Sequence, residues 1–197
     1  MTRLSRLILA VSAVTVFGMA AGCANKRFES PQAAPQTADE QRVIADFKKR
    51  VGAYEGVSSK HRAAGRPSTS ELDPGTIHAR QKELASRIIK ALPEWRQGAI
   101  FTPEISVLFQ RRIAQVVNGP DGANIKGAIF DDAPPTMTVK VFAEYPTGVP
   151  IATVPAQMLE LLPVLPKELE YRFLGRHFIL MDIAAFLIVD VIPEAIK

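Results

Sequence analysis

The hydrophobic periodicity of this chain changes near residue 136, from the 3.6-residue period of helices to the two-residue period of strands. Helical patterning covers residues 39–131, and strand-like patterning covers residues 136–193. Helices followed by strands are typical of an α+β fold, in which the helices pack on one face of a sheet. We therefore expect three to four N-terminal helices packed on a small, mostly antiparallel sheet of about four strands.

Capping residues divide the helical part into separate elements. Thr37 and Glu40 have the spacing of a capping box, and Asp73-Pro74 and Thr102-Pro103 each place a cap residue before a first-turn proline. Pro93 and the Asn-Gly-Pro sequence at 118–120 supply stop signals. The predicted helices span approximately residues 39–64, 74–92, 103–117 and 122–130, and residues 65–72 form a polar loop.

Four segments of the second half predict strands. The sequence TMTVKVFAE at 136–144 alternates apolar and polar residues, which indicates a half-buried strand. Gly175-Arg176 predicts a two-residue hairpin turn, and residues 183–185 predict a three-residue turn. The predicted strands are 137–144, 169–174, 177–182 and 186–192, with a turn-rich link at 146–155 and a short helix at 156–162.

The N-terminal segment has the layout of a secretory signal peptide. Arg3 and Arg6 precede an uncharged run from residue 7 to residue 22. That run is 16 residues long, whereas a helix that spans a bilayer needs about 20. We therefore predict a signal peptide at residues 1–22.

Cys23 is the only cysteine of the chain, and it directly follows the small residues Ala-Ala-Gly. This arrangement resembles the lipobox of bacterial lipoproteins, although Ala20 stands where that family most often has leucine. The resemblance implies that Cys23 is acylated and becomes the first mature residue, and Ala24, which is not aspartate, implies the outer membrane. The alternative is ordinary signal cleavage after Ala20 or Ala24, which would leave a free or discarded thiol.

Residues 23–38 would then form the lipidated cysteine and a flexible tether to a single globular domain at 39–197. The segment is rich in Ala, Pro and Gln and has no hydrophobic period, so it lacks the apolar surface needed to order it. A flexible chain of this length reaches about 20–25 Å. The predicted location is therefore the cell envelope, on the periplasmic side of the outer membrane.

The charge of the chain argues against nucleic-acid binding. Removal of residues 1–22 takes away two arginines and no acidic residue, which lowers the formal charge from +4 to +2. An exported chain also meets little nucleic acid. The expected partners are the membrane, through the N-terminal lipid, and an envelope protein or cell-wall component.

The sequence contains no motif for a familiar catalytic or cofactor site. A Gly-x-Ser-x-Gly turn, a P-loop, a dinucleotide fingerprint, an HExxH sequence and an EF-hand loop are all absent from it. The three histidines, His61, His78 and His177, lie in separate segments and form no His-x-x-x-His pair. We therefore expect neither a metal site nor a cofactor.

One group of residues near the C-terminus is a candidate polar cluster: Arg172, Arg176, His177, Asp182 and Asp190. Asp190 interrupts the apolar sequence LIVDVI, so its carboxylate needs a partner. One interpretation is structural, with a salt bridge or with turn amides bound to the carboxylate. The other is a polar pocket in which Asp182 or Asp190 acts as a base and an arginine binds an anion.

This same segment, YRFLGRHFILMDIAAFLIVD at 171–190, resembles a group of uncharacterised exported bacterial proteins. Their C-termini have a pattern like Y-R-F-x-G-R-x-L-x-L-x-D-x-x-A-N-L-I-V-D. Phe178 replaces the first leucine of that pattern, and Phe186 replaces its asparagine. The resemblance implies export and a similar fold, and it implies no reaction.

Three functions remain open from the sequence. The first is a non-catalytic, lipid-anchored binding domain. The second is a periplasmic hydrolase that uses the C-terminal carboxylates, which predicts a pocket lined by Asp182 or Asp190. The third is a carrier of a small apolar ligand, which predicts a cavity of several hundred Å³ between helices and sheet.

Overall fold

The computed structural model describes residues 37–64, 73–132, 138–146 and 148–197. Within these ranges the chain forms five helices and a four-stranded antiparallel sheet of order β1-β2-β3-β4, with the short fifth helix between β1 and β2, which confirms the α+β fold. The elements are α1 Ala38–Ala64, α2 Pro74–Ala91, α3 Pro103–Val117, α4 Gly122–Asp132, β1 Ala152–Thr153, α5 Ala156–Leu159, β2 Leu169–Leu174, β3 His177–Asp182 and β4 Leu187–Ile192. The predicted signal peptide, Cys23 and nearly all of the predicted tether lie outside the described residues.

The predicted helix starts are confirmed by their capping hydrogen bonds. The Glu40 amide donates to the Thr37 hydroxyl at 3.2 Å, and the Thr76 amide donates to Asp73 Oδ1 at 3.1 Å. Thr102 caps α3 in the same way. These side chains satisfy amides that the first turn of a helix leaves without partners. No helix in the described ranges is both long enough and apolar enough to cross a membrane.

Aromatic side chains fill the core between the helices and one face of the sheet. Phe47 of α1 and Phe109 of α3 have ring centroids 5.0 Å apart, and Tyr171 of β2 and Phe178 of β3 have centroids 5.3 Å apart. Phe109 also contacts both strand residues, at 6.0 and 6.4 Å. The apolar stripes of α1 and α3 therefore face the sheet, as their periodicity predicts.

The other face of the sheet is also buried. A second apolar cluster on that face consists of Tyr145, Leu174, Ile179, Met181, Ile188 and Val191, and Val139, Val141, Val149 and Phe186 pack against it. Residues 139–145 and Val149 thus cover the side of the sheet that the helices leave open. Strands buried on both faces read as continuous apolar runs, which explains the sequences of β3 and β4.

The predicted strand at 137–144 is wrong. The chain does run beside β4, where the Phe142 amide donates to the Ile188 carbonyl at 2.8 Å. Phe142 has a φ of +58°, however, and this left-handed conformation interrupts the extended backbone. Only Glu144 forms a bridge, with Leu187. The fourth strand is instead the short β1, inside the segment predicted as a turn-rich link.

The two hairpin turns differ in how well the sequence predicts them. Gly175, with a φ of +58°, lies in the two-residue turn between β2 and β3, as expected. The second turn has four residues, 183–186, and not the three predicted, because Asp182 pairs with Leu187. Phe186 belongs to this turn and has a φ of +51°. An aromatic residue gives no sequence signal for that conformation.

Candidate functional site

Asp182, the last residue of β3, is fully buried in a hydrogen-bonded cage. Its Oδ2 accepts hydrogen bonds from the Tyr54 hydroxyl at 3.0 Å and from the Ser58 hydroxyl at 2.6 Å. Its Oδ1 accepts from the amides of Ala184 at 3.0 Å and Ala185 at 3.1 Å. One carboxylate thus joins the end of β3, the following turn and helix α1.

Three residues of α1 spaced by four positions serve this carboxylate: Tyr54, Ser58 and Arg62. Arg62 Nη1 donates to the Ser58 hydroxyl at 2.6 Å and lies 3.6 Å from Asp182 Oδ2, and Arg62 also pairs with Glu55. Burial, together with the charge of Asp182, raises the pKa of the Tyr54 hydroxyl, which therefore stays protonated as a donor. The buried charge is compensated within the fold.

Asp190 of β4 has a cage of its own, made of backbone amides. Its Oδ2 accepts from Ile100 and Phe101, both at 2.8 Å, and its Oδ1 accepts from Gly98 at 2.9 Å and Val191 at 2.8 Å. Burial raises the pKa of the Asp190 carboxyl, and the four amide hydrogen bonds limit that rise. The carboxylate fastens the loop between α2 and α3 to the sheet.

A β-bulge in β4 places Asp190 on the helix-facing side. Leu180 pairs with Asp190 while Met181 pairs with Ile188, so Val189 is the extra residue. Leu180 belongs to the helix-facing core, and its partner Asp190 lies on the same face of the sheet. Without the bulge, the two-residue alternation of β4 would turn this carboxylate to the other face.

The remaining members of the predicted cluster have other contacts. Arg172 pairs with Glu170, and the Arg176 guanidinium lies 5.8 Å from the centroid of the Phe130 ring. His177 Nδ1 accepts a hydrogen bond from the amide of Glu194 at 3.3 Å. The structure therefore distributes the five residues over several local networks, and the two aspartates are held by α1 and by the 98–101 loop.

The burial and hydrogen bonding of Asp182 and Asp190 oppose a role for either carboxylate as a general base. A general base must come within hydrogen-bond reach of a substrate proton, yet Asp182 and Asp190 are both 0% exposed. Each carboxylate also accepts four hydrogen bonds, which fill its usual acceptor sites. Across the described ranges, no group of three or more His, Cys, Asp or Glu side chains could hold a metal ion.

A surface feature next to the β1 edge of the sheet was not predicted from the sequence. An open groove of about 560 Å³ runs between β1, β2 and the connection from α5 to β2. We call residues 159–166, from the last residue of α5 into this connection, the apolar loop. Its Leu159 is 45% exposed and its Val164 is 92% exposed. The sequence signal is the run LLPVLP at 161–166, in which two apolar residues lie between two prolines.

Two buried side chains fix the backbone of the apolar loop. Arg112 Nη1 of α3 donates to the carbonyl of Leu161 at 2.6 Å, and the Tyr171 hydroxyl of β2 donates to the carbonyl of Pro163 at 3.0 Å. Burial raises the pKa of the Tyr171 hydroxyl, so it remains a donor. The loop therefore presents Val164 to solvent from a fixed backbone.

The same Arg112 reaches the beginning of α1. Its Nη2 lies 3.6 Å from Oε2 of Glu40, and Arg111 pairs with that carboxylate as well. Glu40 belongs to the first turn of α1, three residues after the first described residue, Thr37. One guanidinium thus links the N-terminal end of the described chain to the apolar loop.

Comparisons with protein-family models, with curated proteins and with solved structures gave no match for this chain. Its function therefore has to be inferred from its own residues and contacts.

Proposed function

We propose that this chain is an exported lipoprotein of the cell envelope, held at the periplasmic side of the outer membrane by acyl chains on Cys23. Its domain binds an envelope protein or a cell-wall component and catalyses no reaction. Support for the anchor comes from the order of the N-terminal residues: two arginines, an uncharged run, small residues and then the single cysteine. Two or more acyl chains give lasting attachment to a bilayer.

The proposal that the domain is not an enzyme rests on the burial of Asp182 and Asp190, the two residues that could have acted as a catalytic base. Asp182 and Asp190 are 0% exposed and hydrogen-bonded by core elements, so their role is to hold the fold together. Buried carboxylates of this kind are more often structural than catalytic. A binding function needs only the surface that this framework supports.

The anchor is tested by metabolic labelling with a traceable fatty acid. We expect label on the parent protein and none on the Cys23→Ser variant, and we expect the mass of the mature protein to show an acylated Cys23 as its first residue. A mature chain that begins at residue 21 or 25 and carries no label would contradict the proposal. The variant Ala24→Asp tests which membrane holds the protein. It should move the protein from the outer to the inner membrane fraction, with acylation unchanged.

A second candidate function is the transport of a small apolar ligand, which the groove beside the apolar loop favours. Its volume of about 560 Å³ falls within the range of ligand pockets. It lies at the edge of the sheet, however, and not between helices and sheet, where a carrier of this architecture would enclose its ligand. Titration of the protein with an apolar fluorescent probe tests this function. Saturable binding that a Val164→Asp variant abolishes would support it.

A further inference from the structure

We propose that the apolar loop inserts into the surface of the bilayer that carries the anchor, so that the domain has a second membrane contact and a fixed orientation. This inference rests on the proposed function, because the anchor is what keeps the domain next to a bilayer. The occupant of the loop surface is the boundary between lipid headgroups and acyl chains.

The first argument is the place where the chain leaves the described domain. The chain toward Cys23 continues from Thr37, and Glu40 lies one turn further into α1. Through Arg112, this turn contacts the backbone of the apolar loop at Leu161. Thirteen residues separate Cys23 from Thr37, and any flexible chain of that length reaches about 20 Å. The described chain therefore begins on the side of the domain where the apolar loop lies.

The second argument is the chemistry of the loop. Val164 is 92% exposed and Leu159 is 45% exposed, which is unusual for large apolar side chains that stand together at one groove. Arg112 and Tyr171 already fix the backbone between them, so insertion would order little additional chain. An apolar projection on a rigid base is suited to the apolar edge of a lipid interface.

The third argument is the charge around the loop, which favours a bilayer over a charged polymer as the occupant of the loop surface. Glu160, inside the loop, and Lys167, directly after it, are exposed and have opposite charges. Glu168 adds a half-buried carboxylate, and the nearby Arg172 is paired with Glu170. A surface with no excess of positive charge gives little attraction to a polyanion. We therefore expect insertion to depend on apolar contact and to change little between low and high salt.

The test uses the full, lipidated protein in vesicles of phosphatidylethanolamine and phosphatidylglycerol. A Val164→Cys variant is labelled with a fluorophore whose emission moves to the blue in an apolar environment. Acylation blocks the sulfur of Cys23, so the introduced thiol is the reactive one. We expect a blue shift and at least a threefold quenching of emission by lipids that carry a quencher on their acyl chains.

Ile77→Cys is the matched control, since Ile77 is an exposed apolar residue, at 42%, on the other side of the molecule. Its neighbour His78 lies 3.3 Å from Glu144, which bridges β4 at the sheet edge opposite β1. Three strand spacings separate β1 from β4, and the segment of Glu144 beside β4 adds a fourth, which places that segment about 19 Å from β1. The label at residue 77 should keep its emission in water and escape quenching. Equal behaviour of the two labels would overturn the inference.

The outcomes also separate the loop from the anchor. If mass analysis finds no lipid on Cys23, the proposed function fails, and the same label at residue 164 on a Cys23→Ser chain still reports whether the loop enters added vesicles. If the anchor is present but the label at 164 remains in water, the loop inference alone fails.

A blue shift that needs no vesicles and grows with protein concentration would identify a second copy as the occupant. A shift produced by free fatty acid, without quenching in the bilayer, would identify a small ligand. Either result overturns bilayer insertion.

Discussion

Replacement of Asp190 by alanine should destabilise the fold strongly. The substitution removes the acceptor of four amides: those of Ile100, Phe101 and Val191, which are buried, and that of Gly98, which is half-buried. A buried donor left without a partner costs about 1–3 kcal/mol. Four such donors together would cost about 4–12 kcal/mol. Movement of the loop and removal of a buried carboxylate offset part of this cost, so we expect the free energy of unfolding to fall by about 4 kcal/mol.

A loss of about 4 kcal/mol corresponds to a fall in Tm of roughly 8–16 °C for a domain of this size. Thermal and urea unfolding followed by circular dichroism measure it. Asp39→Ala is the control, since Asp39 is an aspartate in an exposed ion pair, and its loss should cost less than about 1 kcal/mol. A variant at residue 190 that melts within about 2 °C of the parent would refute the structural role and return Asp190 to the list of functional residues.

The pH dependence of the same variant provides a second measurement. Because the pKa of Asp190 is raised in the folded chain, the folded state binds more protons than the unfolded state between the two pKa values. Stability of the parent therefore falls as pH rises from the unfolded value of about 3.9 through the folded value. Asp190→Ala lacks this contribution, so the difference in unfolding free energy between parent and variant should be larger at the acidic end of that window than at pH 7.

Two further substitutions test the other buried hydrogen bonds. Ser58→Ala removes a donor to Asp182 and should cost about 1–2 kcal/mol in urea unfolding, whereas Ser59→Ala, at the next position of α1, should change stability by less than about 0.5 kcal/mol. Equal effects of the two serine variants would show that the Ser58 hydrogen bond to Asp182 does not stabilise the fold. Tyr171→Phe keeps the ring in the core and loses the hydrogen bond to the Pro163 carbonyl, so it should cost about 1 kcal/mol by the same assay. No loss of stability in that variant would contradict the claim that the hydroxyl fixes the apolar loop.

Local signals in the sequence predicted the elements that local chemistry determines. The helix starts at Asp73 and Thr102 follow from side chains that bond amides three residues away. The turn at Gly175 follows from the conformational freedom of glycine at a single position. In these cases the responsible atoms are close in sequence, so the pattern and the structure have the same cause.

The incorrect predictions arose where distant contacts decide the structure. Val139 and Val141 alternate with polar residues because they cover the second face of the sheet, and the same alternation suggested a strand. The need of Asp190 for a partner was visible in the sequence, but its amide donors at 98–101 lie about 90 residues away. Nothing in the composition of that loop marks it as a carboxylate site, because backbone amides are present in nearly every residue.

Asp182, Arg112 and the apolar loop together determine how the domain would stand on a membrane in the proposed arrangement. Asp182 holds α1 to the end of β3, and Arg112 links the beginning of α1 to the apolar loop, so the first turn of α1 and the loop cannot separate without breaking these contacts. With that side against the bilayer, the opposite sheet edge points away from it. That edge carries Glu144, with His78 and Lys82 of α2 in contact with its carboxylate. An envelope protein or cell-wall component would therefore meet α2 and the Glu144 edge first, and substitutions that reduce partner binding should map to this edge and leave the membrane contact at Val164 unchanged.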